Sequence, residues 1–346
     1  MTCGLAVVLP SLPLAQSPQA AEQANLGVSF AHAGKYPEAI EAYQRAIALD
    51  PSLPGIHLNL GLAYFKTGAF SRAIQAFETA TQKDPQNFQA QTLLGMSYFG
   101  SRRYAEAVAP LEKAVSAQSG NAELRSTLGK SYLYAGRYPE AMREFEQLLR
   151  NQPDSPALHM FLGEAYDAVG RSAEAFAEFD TASKANPKEP AVHFCLGYLR
   201  WKDHRYEDAA REFQAELEND PENADALAYL GDVRMRSNQD DEALALLEKA
   251  LRVRDDERVA HLDLGILAAR RHQYEKALAH LQAAIRLEPS RADAHYRLAG
   301  VLRALSRAKD ADHELARVRE LQQKEQDHQK DLLLNANLPR PAAATP

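Results

Sequence analysis

Cysteine is nearly absent from this chain, which has only Cys3 and Cys195 among its 346 residues. Two cysteines do not form a disulfide framework, so cysteine usage leaves the cellular compartment open. The sequence also lacks the HExxH, GxSxG, CxxC and glycine-rich phosphate-loop patterns. Because no such pattern places a catalytic group, we predict that the protein is not an enzyme. A metal- or thiol-dependent enzyme stays as a third hypothesis, behind two non-catalytic ones.

Long apolar runs and excess positive charge are missing as well. No run reaches the roughly 18–20 residues of a membrane-spanning helix, so we predict no integral membrane segment. The net charge of −7 does not fit a nucleic-acid partner, which calls for clustered lysine and arginine. These absences favour a protein or peptide as the partner.

The first 17 residues contain no charged side chain. Their apolar core is followed by Ala15-Gln16-Ser17, which is typical of the end of a secretory signal. The basic n-region of a signal peptide is missing, and Pro13 and Pro18 lie close to the plausible cleavage sites. We predict residues 1–19 to be an apolar leader, with a periplasmic or secreted location. The alternative is a disordered N-terminal tail on a cytoplasmic protein.

What the sequence does contain is a repeat of 34 residues. The pair Leu-Gly recurs at this spacing without an insertion, at Gly27, Gly61, Gly95, Gly129, Gly163, Gly197, Gly231 and Gly265, with a degenerate ninth copy at Leu298-Ala299. An alanine follows twelve residues later each time, at Ala39, Ala73, Ala107, Ala141, Ala175, Ala209, Ala243, Ala277 and Ala311. A fixed period of this size indicates one supersecondary unit stacked on copies of itself.

Each unit is predicted to be a helical hairpin. In residues 54–87, apolar side chains recur at helical spacing on both sides of Gly68, which permits a turn with positive φ. Asp84-Pro85 ends the second helix, because the residue before proline avoids the α region. Proline is missing from the equivalent position at Ser119, Asp255 and Gln323, where we expect looser or longer helix ends.

These residues resemble the tetratricopeptide repeat family: Leu, Gly and an aromatic in the first helix, then Ala, an aromatic and Ala in the second, then Pro. The resemblance implies an all-α fold, a right-handed superhelical solenoid of antiparallel helix pairs. The nine predicted units are residues 20–53, 54–87, 88–121, 122–155, 156–189, 190–223, 224–257, 258–291 and 292–323. Residues 324–346 are predicted to be the end of a capping helix and a disordered C-terminal tail.

The first helix of each repeat has a second face, and most of its side chains are apolar. By resemblance to the family, this face lines the concave groove that binds partners. The predicted groove residues are Leu58, Leu62, Phe65, Met96, Phe99, Lys130, Tyr134, Met160, Asp167, Phe194, Tyr198, Trp201, Lys202, Met235, Arg236, Ile266 and Arg270. The alternative is that the first helices are simply packed between neighbours, so that the wide apolar face is ordinary core.

A basic rim in the C-terminal half of the groove suggests that the partner carries some acidic groups beside its apolar anchors. It comprises Lys202, Arg236, Arg270, Arg297 and Arg303. We therefore predict a scaffold that holds an extended or helical peptide and acts as a monomer or associates only weakly. The alternative function is a structural module that self-associates by stacking end to end through its terminal repeats.

Histidines recur four residues before the glycine, or before Ala299, at His57, His159, His193, His261 and His295. Adjacent repeats could bring two of them together, but no third ligand shares their register, and we predict no metal and no cofactor. We interpret them as half-buried packing residues. If they are buried in the neutral form, stability falls below about pH 6.

Overall fold

The structure is a computed structural model, which describes residues 17–336. Within that range the regular elements are eighteen α-helices joined by short turns. They form sequential antiparallel pairs, so the predicted all-α fold of stacked hairpins is confirmed. In the described range, no helix is both long enough and apolar enough to cross a bilayer. The predicted leader up to residue 16 and the predicted tail from residue 337 lie outside the described residues.

The chain divides into two compact units, Met1–Asn186 and Pro187–Pro346, here called the N-terminal and C-terminal units. The helices of the N-terminal unit are α1 (Pro18–His32), α2 (Tyr36–Leu49), α3 (Ile56–Lys66), α4 (Phe70–Lys83), α5 (Phe88–Gly100), α6 (Tyr104–Ala117), α7 (Ala122–Tyr134), α8 (Tyr138–Leu149), α9 (Pro156–Ala168) and α10 (Ser172–Ala185). Those of the C-terminal unit are α11 (Val192–Lys202), α12 (Tyr206–Asn219), α13 (Ala224–Arg236), α14 (Asp240–Val253), α15 (Arg258–Arg270), α16 (Tyr274–Leu287), α17 (Ala292–Ala304) and α18 (Ala308–Ala336).

The repeated glycine gives room to a large side chain of the second helix. A Cβ atom added to Gly163 in α9 would lie 2.5 Å from Cε1 of Phe179 in α10. The same relation holds in α11 and α12, between Gly197 and Phe213, at 2.7 Å. The alanine twelve residues after the glycine has no exposed surface in any repeat. Close packing of each pair therefore requires both small residues.

Two of the three helices that lack the stop proline end where the other helices end. α6 and α14 stop at Ala117 and Val253 and have 14 residues, the same length as α4. Only α18 continues through the missing proline, at Gln323, as far as Ala336. The expectation of longer helix ends is therefore wrong for α6 and α14.

The side chain four residues before the repeated glycine explains this difference. In α9, Nε2 of His159 lies 2.8 Å from the carbonyl oxygen of Pro153. The equivalent carbonyls without proline are bound in the same way: Arg125 donates to Ser119 at 3.2 Å, and Nε2 of His261 lies 3.0 Å from the oxygen of Asp255. We call these contacts loop-carbonyl bonds. They fix the loop before the first helix whether or not it contains proline.

In several repeats, the side chain at this position also ties the first helix to the second helix. Nδ1 of His159 lies 2.6 Å from Glu178, and Nδ1 of His193 lies 2.8 Å from Glu212. Arg125 donates to Glu144 at 2.6 Å. A residue that reaches both the loop and the second helix holds the hairpin together, which is a structural role.

Candidate partner-binding surfaces

Four of the predicted groove residues are covered by the chain itself. Leu58, Leu62, Met160 and Met235 are only 4–7% exposed. The first two belong to the core cluster of the N-terminal unit, and Met235 belongs to a cluster in the C-terminal unit. The prediction that Leu58, Leu62 and Met160 line an open groove is therefore corrected, because the packing of the chain already buries them. Met235 is buried to the same degree but contributes to the lining of the cavity described below.

An aromatic row runs along the N-terminal unit, where first helices end and second helices begin. It consists of Phe65, Phe70, Phe99, Tyr104 and Tyr134. Three pairs of these rings are in contact. Their centroids lie 5.7 Å apart for Phe65 and Phe70, 5.4 Å for Phe99 and Tyr104, and 4.9 Å for Tyr104 and Tyr134. Tyr134 is 48% exposed, and the other four are partly exposed. The row is a surface that a partner can contact.

The remaining predicted residues of this unit are partly exposed beside the row. They are Met96, Lys130 and Asp167. The Lys130 ammonium group lies 4.5 Å from the ring centroid of Phe161, and burial lowers the pKa of this group. A lysine held over an aromatic face contributes packing as well as charge.

An aromatic cluster forms the beginning of the C-terminal unit. It consists of Phe194, Tyr198, Trp201, Phe213 and Tyr229. The rings of Tyr198 and Trp201 stack at 6.0 Å, and Tyr229 meets Trp201 edge to face at 5.1 Å. Lys202 is exposed, and its ammonium group lies 5.5 Å from the Tyr198 ring centroid. The predicted residues Phe194, Tyr198 and Trp201 thus support one another and are only partly exposed.

The cluster is joined to a buried carboxylate. The indole N–H of Trp201 donates to Oδ2 of Asp232 at 2.6 Å, and Nε of Arg236 donates to the same oxygen at 2.6 Å. Asp232 is 4% exposed. The Arg236 guanidinium also lies 5.0 Å from the ring centroid of Tyr206. This network fixes the orientation of the tryptophan.

Beyond the cluster lies a cavity of about 1100 Å³, here called the C-terminal cavity. Side chains from α11, α13, α15 and α17 contribute to its lining, among them Trp201, Tyr229, Asp232, Leu262, Asp263 and Ile266. The predicted residues Arg236 and Arg270 line it too, whereas Phe194, Tyr198 and Lys202 do not. Seven arginines and seven acidic residues also line the cavity, so its walls combine apolar surface with many charged groups.

Three of the four arginines of the predicted basic rim are paired with acidic residues. Arg270 donates to Asp240 at 3.0 Å, Arg236 to Asp232 at 2.6 Å, and Arg303 lies 3.6 Å from Asp312. Pairing with carboxylates reduces the positive potential that the sequence suggests. The rim therefore favours an acidic partner less than the sequence suggests.

Several residues of these surfaces were missed in the sequence. Phe70 and Tyr104 stand nine residues after the repeated glycine, where Tyr36, Tyr138, Tyr206 and Tyr274 also occur. That register is a usable signal for an aromatic at the start of each second helix. Tyr229 and Asp263 stand two residues before the glycine, where residue types vary, so no periodic signal identifies them. Among the described residues, no three His, Cys, Asp or Glu side chains converge as metal ligands.

Two family profiles match the chain. The TPR repeat profile matches residues 27–68 and 269–305. The tetratricopeptide repeat profile matches residues 58–122, 126–190 and 196–257, which together make up more than half of the sequence. No protein of curated function matches the chain.

Solved structures with a similar fold include an assembly subunit and a bacterial repeat protein. The APC/C hetero-tetramer Cut9–Hcn1 is 15% identical with a TM-score of 0.57, over 77% of this chain and 52% of that one. A tetratricopeptide repeat protein from Parabacteroides merdae is 15% identical with a TM-score of 0.54, over 70% of this chain and 96% of that one. A structure of MamA (MSR-1) is 29% identical with a TM-score of 0.45, over 50% of this chain and 99% of that one. The first two likenesses show the fold alone.

Proposed function

Because the chain belongs to the tetratricopeptide repeat family, we propose that it is a non-catalytic scaffold that binds a peptide segment of a protein partner. The binding surface is formed by the first helices of the repeats. The observation that carries this proposal is the C-terminal cavity, whose volume of about 1100 Å³ suits several side chains of a peptide.

The aromatic row of the N-terminal unit supports the same function. Tyrosine and phenylalanine are enriched at protein interfaces, since they offer a large rigid surface at a small loss of conformational entropy. Tyr134, at 48% exposure, has the most surface available for contact in the row. The row belongs to the N-terminal unit and the cavity to the C-terminal unit, so they are two separate binding surfaces in this proposal.

The experiment is a selection of random phage-displayed peptides on the purified full chain, followed by affinity measurement of the selected peptides. Ile266→Glu places a charge on the cavity wall and is expected to weaken binding by about tenfold or more. The matched control is Leu287→Glu, because Leu287 is 38% exposed and does not line the cavity. Circular dichroism verifies that both variants are folded.

Equal affinity of both variants, or a selection without any specific peptide, contradicts a peptide-binding role for the cavity. Light scattering over a range of protein concentrations tests the alternative function. Growth of open multimers favours end-to-end stacking, whereas a monomer that captures peptide favours the scaffold. Export to the periplasm or beyond stays a prediction, which mass spectrometry of the mature N-terminus checks in the native host.

A further inference from the structure

One carboxyl oxygen in the C-terminal cavity has no hydrogen-bond partner among the described residues. Asp263 in α15 is 3% exposed and lines the cavity. Its Oδ2 atom is buried and receives no hydrogen bond from the described residues. A buried carboxyl oxygen without a donor costs free energy, so native structures rarely leave one in this state.

The neighbouring carboxylates are satisfied, which sets Asp263 apart. Asp232 accepts from Trp201 and Arg236, as described above. Asp293, at the start of α17, accepts from Nη2 of Arg258 and from the backbone N–H of Ala294 at 2.8 Å. Both arginines near Asp263 form ion pairs with other carboxylates, although Nε of Arg258 is buried and has no hydrogen-bond partner among the described residues.

Asp263 interacts with two carboxylates and two guanidinium groups, those of Arg236 and Arg258, and the cavity lining as a whole contains seven arginines and seven acidic residues. Burial, together with the carboxylates of Asp232 and Asp293, raises the pKa of Asp263 well above its ordinary value. The two arginines oppose this shift but do not cancel it. A further positive charge beside Asp263 would let all three carboxyl groups ionise.

The walls of the cavity suit an organic cation rather than a metal ion. Trp201, Leu262 and Ile266 provide apolar and aromatic surface, which packs against an aliphatic stem or a planar guanidinium group. A metal ion requires several free oxygen or nitrogen ligands, and Asp232 and Asp293 already accept hydrogen bonds from arginine. Tyr296 in α17 lines the cavity and is 59% exposed, so the cavity is open to solvent at this residue.

We propose that the C-terminal cavity binds the cationic side chain of a lysine or arginine of the partner peptide, with Asp263 as its carboxylate counter-ion. The inference rests on the proposed peptide-binding function and specifies the charge of one anchor residue. Binding replaces an unpartnered carboxyl by a charge-assisted hydrogen bond, which is stronger than one between neutral groups.

The test uses small cations, so that it does not depend on knowing the partner. Methylguanidinium and n-butylammonium, which mimic the ends of arginine and lysine, are titrated onto the full chain. Trp201 is the only tryptophan of the sequence and lines the cavity, so its fluorescence reports occupancy directly. Sodium chloride at equal ionic strength is the control for a general salt effect.

A saturable change in the wild-type protein is expected, and Asp263→Asn weakens it by at least about tenfold. The matched control is Asp241→Asn, because the Asp241 side chain is 97% exposed and lies outside the cavity lining. Because binding favours the ionised carboxylate, cation uptake releases a proton in the wild type but not in Asp263→Asn. Calorimetry in buffers of different ionisation enthalpy detects this release.

Equal affinity of wild type and Asp263→Asn, or the lack of a saturable change, overturns the inference. The peptide selection described above separates the two proposals. Specific peptides without enrichment of lysine or arginine at one position refute the inference and leave the scaffold intact. Small cations that bind while no peptide is selected refute the scaffold and leave the cation site. If Asp263→Asn does not fold, the wild type alone still tests the inference: cation binding without release of a proton would overturn it.

Discussion

The ring of Phe77 in α4 fills the space beside Gly61 in α3 so closely that a Cβ atom on Gly61 would lie 2.6 Å from the ring carbon Cε1. Phe77 has no exposed surface, so its ring has no free space into which to move. Gly61→Ala is therefore expected to destabilise the N-terminal unit by roughly 1–3 kcal/mol. Thermal unfolding and hydrogen exchange of the α3 and α4 amides measure this effect.

Gly300→Ala is the matched control for that substitution. Gly300 lies within α17, and no atom comes within 4 Å of an added Cβ. Here the methyl group improves helix propensity by about 0.5–1 kcal/mol, so the variant is expected to be more stable than the wild type. Opposite signs at the two glycines support the packing argument, whereas destabilisation at both sites contradicts it.

A second prediction concerns the loop-carbonyl bond of Arg125. This side chain binds Ser119, Glu144 and Gln147 at 3.2, 2.6 and 2.9 Å, and the residue is 9% exposed. Arg125→Leu leaves those acceptors without their donor and is expected to cost about 1–3 kcal/mol. Faster hydrogen exchange at the end of α6 locates the loss.

The control for Arg125 is an exposed arginine of the same unit. Arg45 and Glu41 form a pair at 3.6 Å whose side chains are 59% and 72% exposed. Arg45→Leu should change the stability by no more than about 0.5 kcal/mol. An equal loss in both variants would show that the loop-carbonyl bond contributes nothing special.

A third prediction concerns the start of α11. Ala191 precedes this helix with φ of +62°, a left-handed conformation that is unfavourable for a residue with a Cβ atom. The equivalent residue before α3 is Gly55, at φ of +71°. Ala191→Gly is expected to stabilise the C-terminal unit by roughly 0.5–1 kcal/mol, and Gly55→Ala to destabilise the N-terminal unit by about 1 kcal/mol. Urea unfolding of both variants decides; a loss of stability in Ala191→Gly would refute this reading.

A fourth prediction concerns pH. Burial lowers the pKa of His280, and the neighbouring His261 lowers it further. The Nδ1 atoms of the two histidines lie 3.1 Å apart. Lys276 adds to the shift and Glu248 opposes it. Since the unfolded chain then binds the proton more readily, stability should fall as the pH drops below about 6.5, the ordinary value for histidine. Burial and Lys83 lower the pKa of His57 in the same direction.

His280→Glu tests the origin of this pH dependence. Glutamate occupies the equivalent position in four repeats, and in three of them Glu178, Glu212 and Glu314 pair with a histidine. The variant should gain stability relative to the wild type as the pH falls from about 8 to about 5.5. Melting temperatures at several pH values measure this trend. If the difference in melting temperature between the two proteins is the same at every pH in that range, the histidine pair is not the cause of the pH dependence.

The repeat period was sufficient to predict the hairpins and the role of the small residues, because these depend on contacts within one unit. Gly61 and Ala73 are where the period places them, in close packing between paired helices. Burial of Leu62 could not be predicted in the same way. Its exposure depends on how closely the next repeat stacks on α3, and a single repeat contains no information about that distance.

The cavity was even less accessible to pattern reasoning. The hydrogen bond from Trp201 to Asp232 joins residues 31 positions apart, close to but different from the period. Trp201, Asp232 and Asp263 are each found in only one repeat at their position relative to the glycine. Comparison of the repeats therefore does not distinguish them from residues that vary because they are exposed to solvent. Only the arrangement in space shows that two carboxylates have donors and that one has none.

The loop-carbonyl bonds span six residues, and the link from His159 to Glu178 spans nineteen. Each joint between consecutive helices is thus assembled from a stretch of sequence shorter than one 34-residue period. An internal duplication or deletion of one full period would leave the contacts of each remaining joint intact. The number of repeats could therefore change without other changes in the sequence. An insertion within one of these six-residue stretches would separate a side chain from its own carbonyl, so these stretches are expected to keep their length.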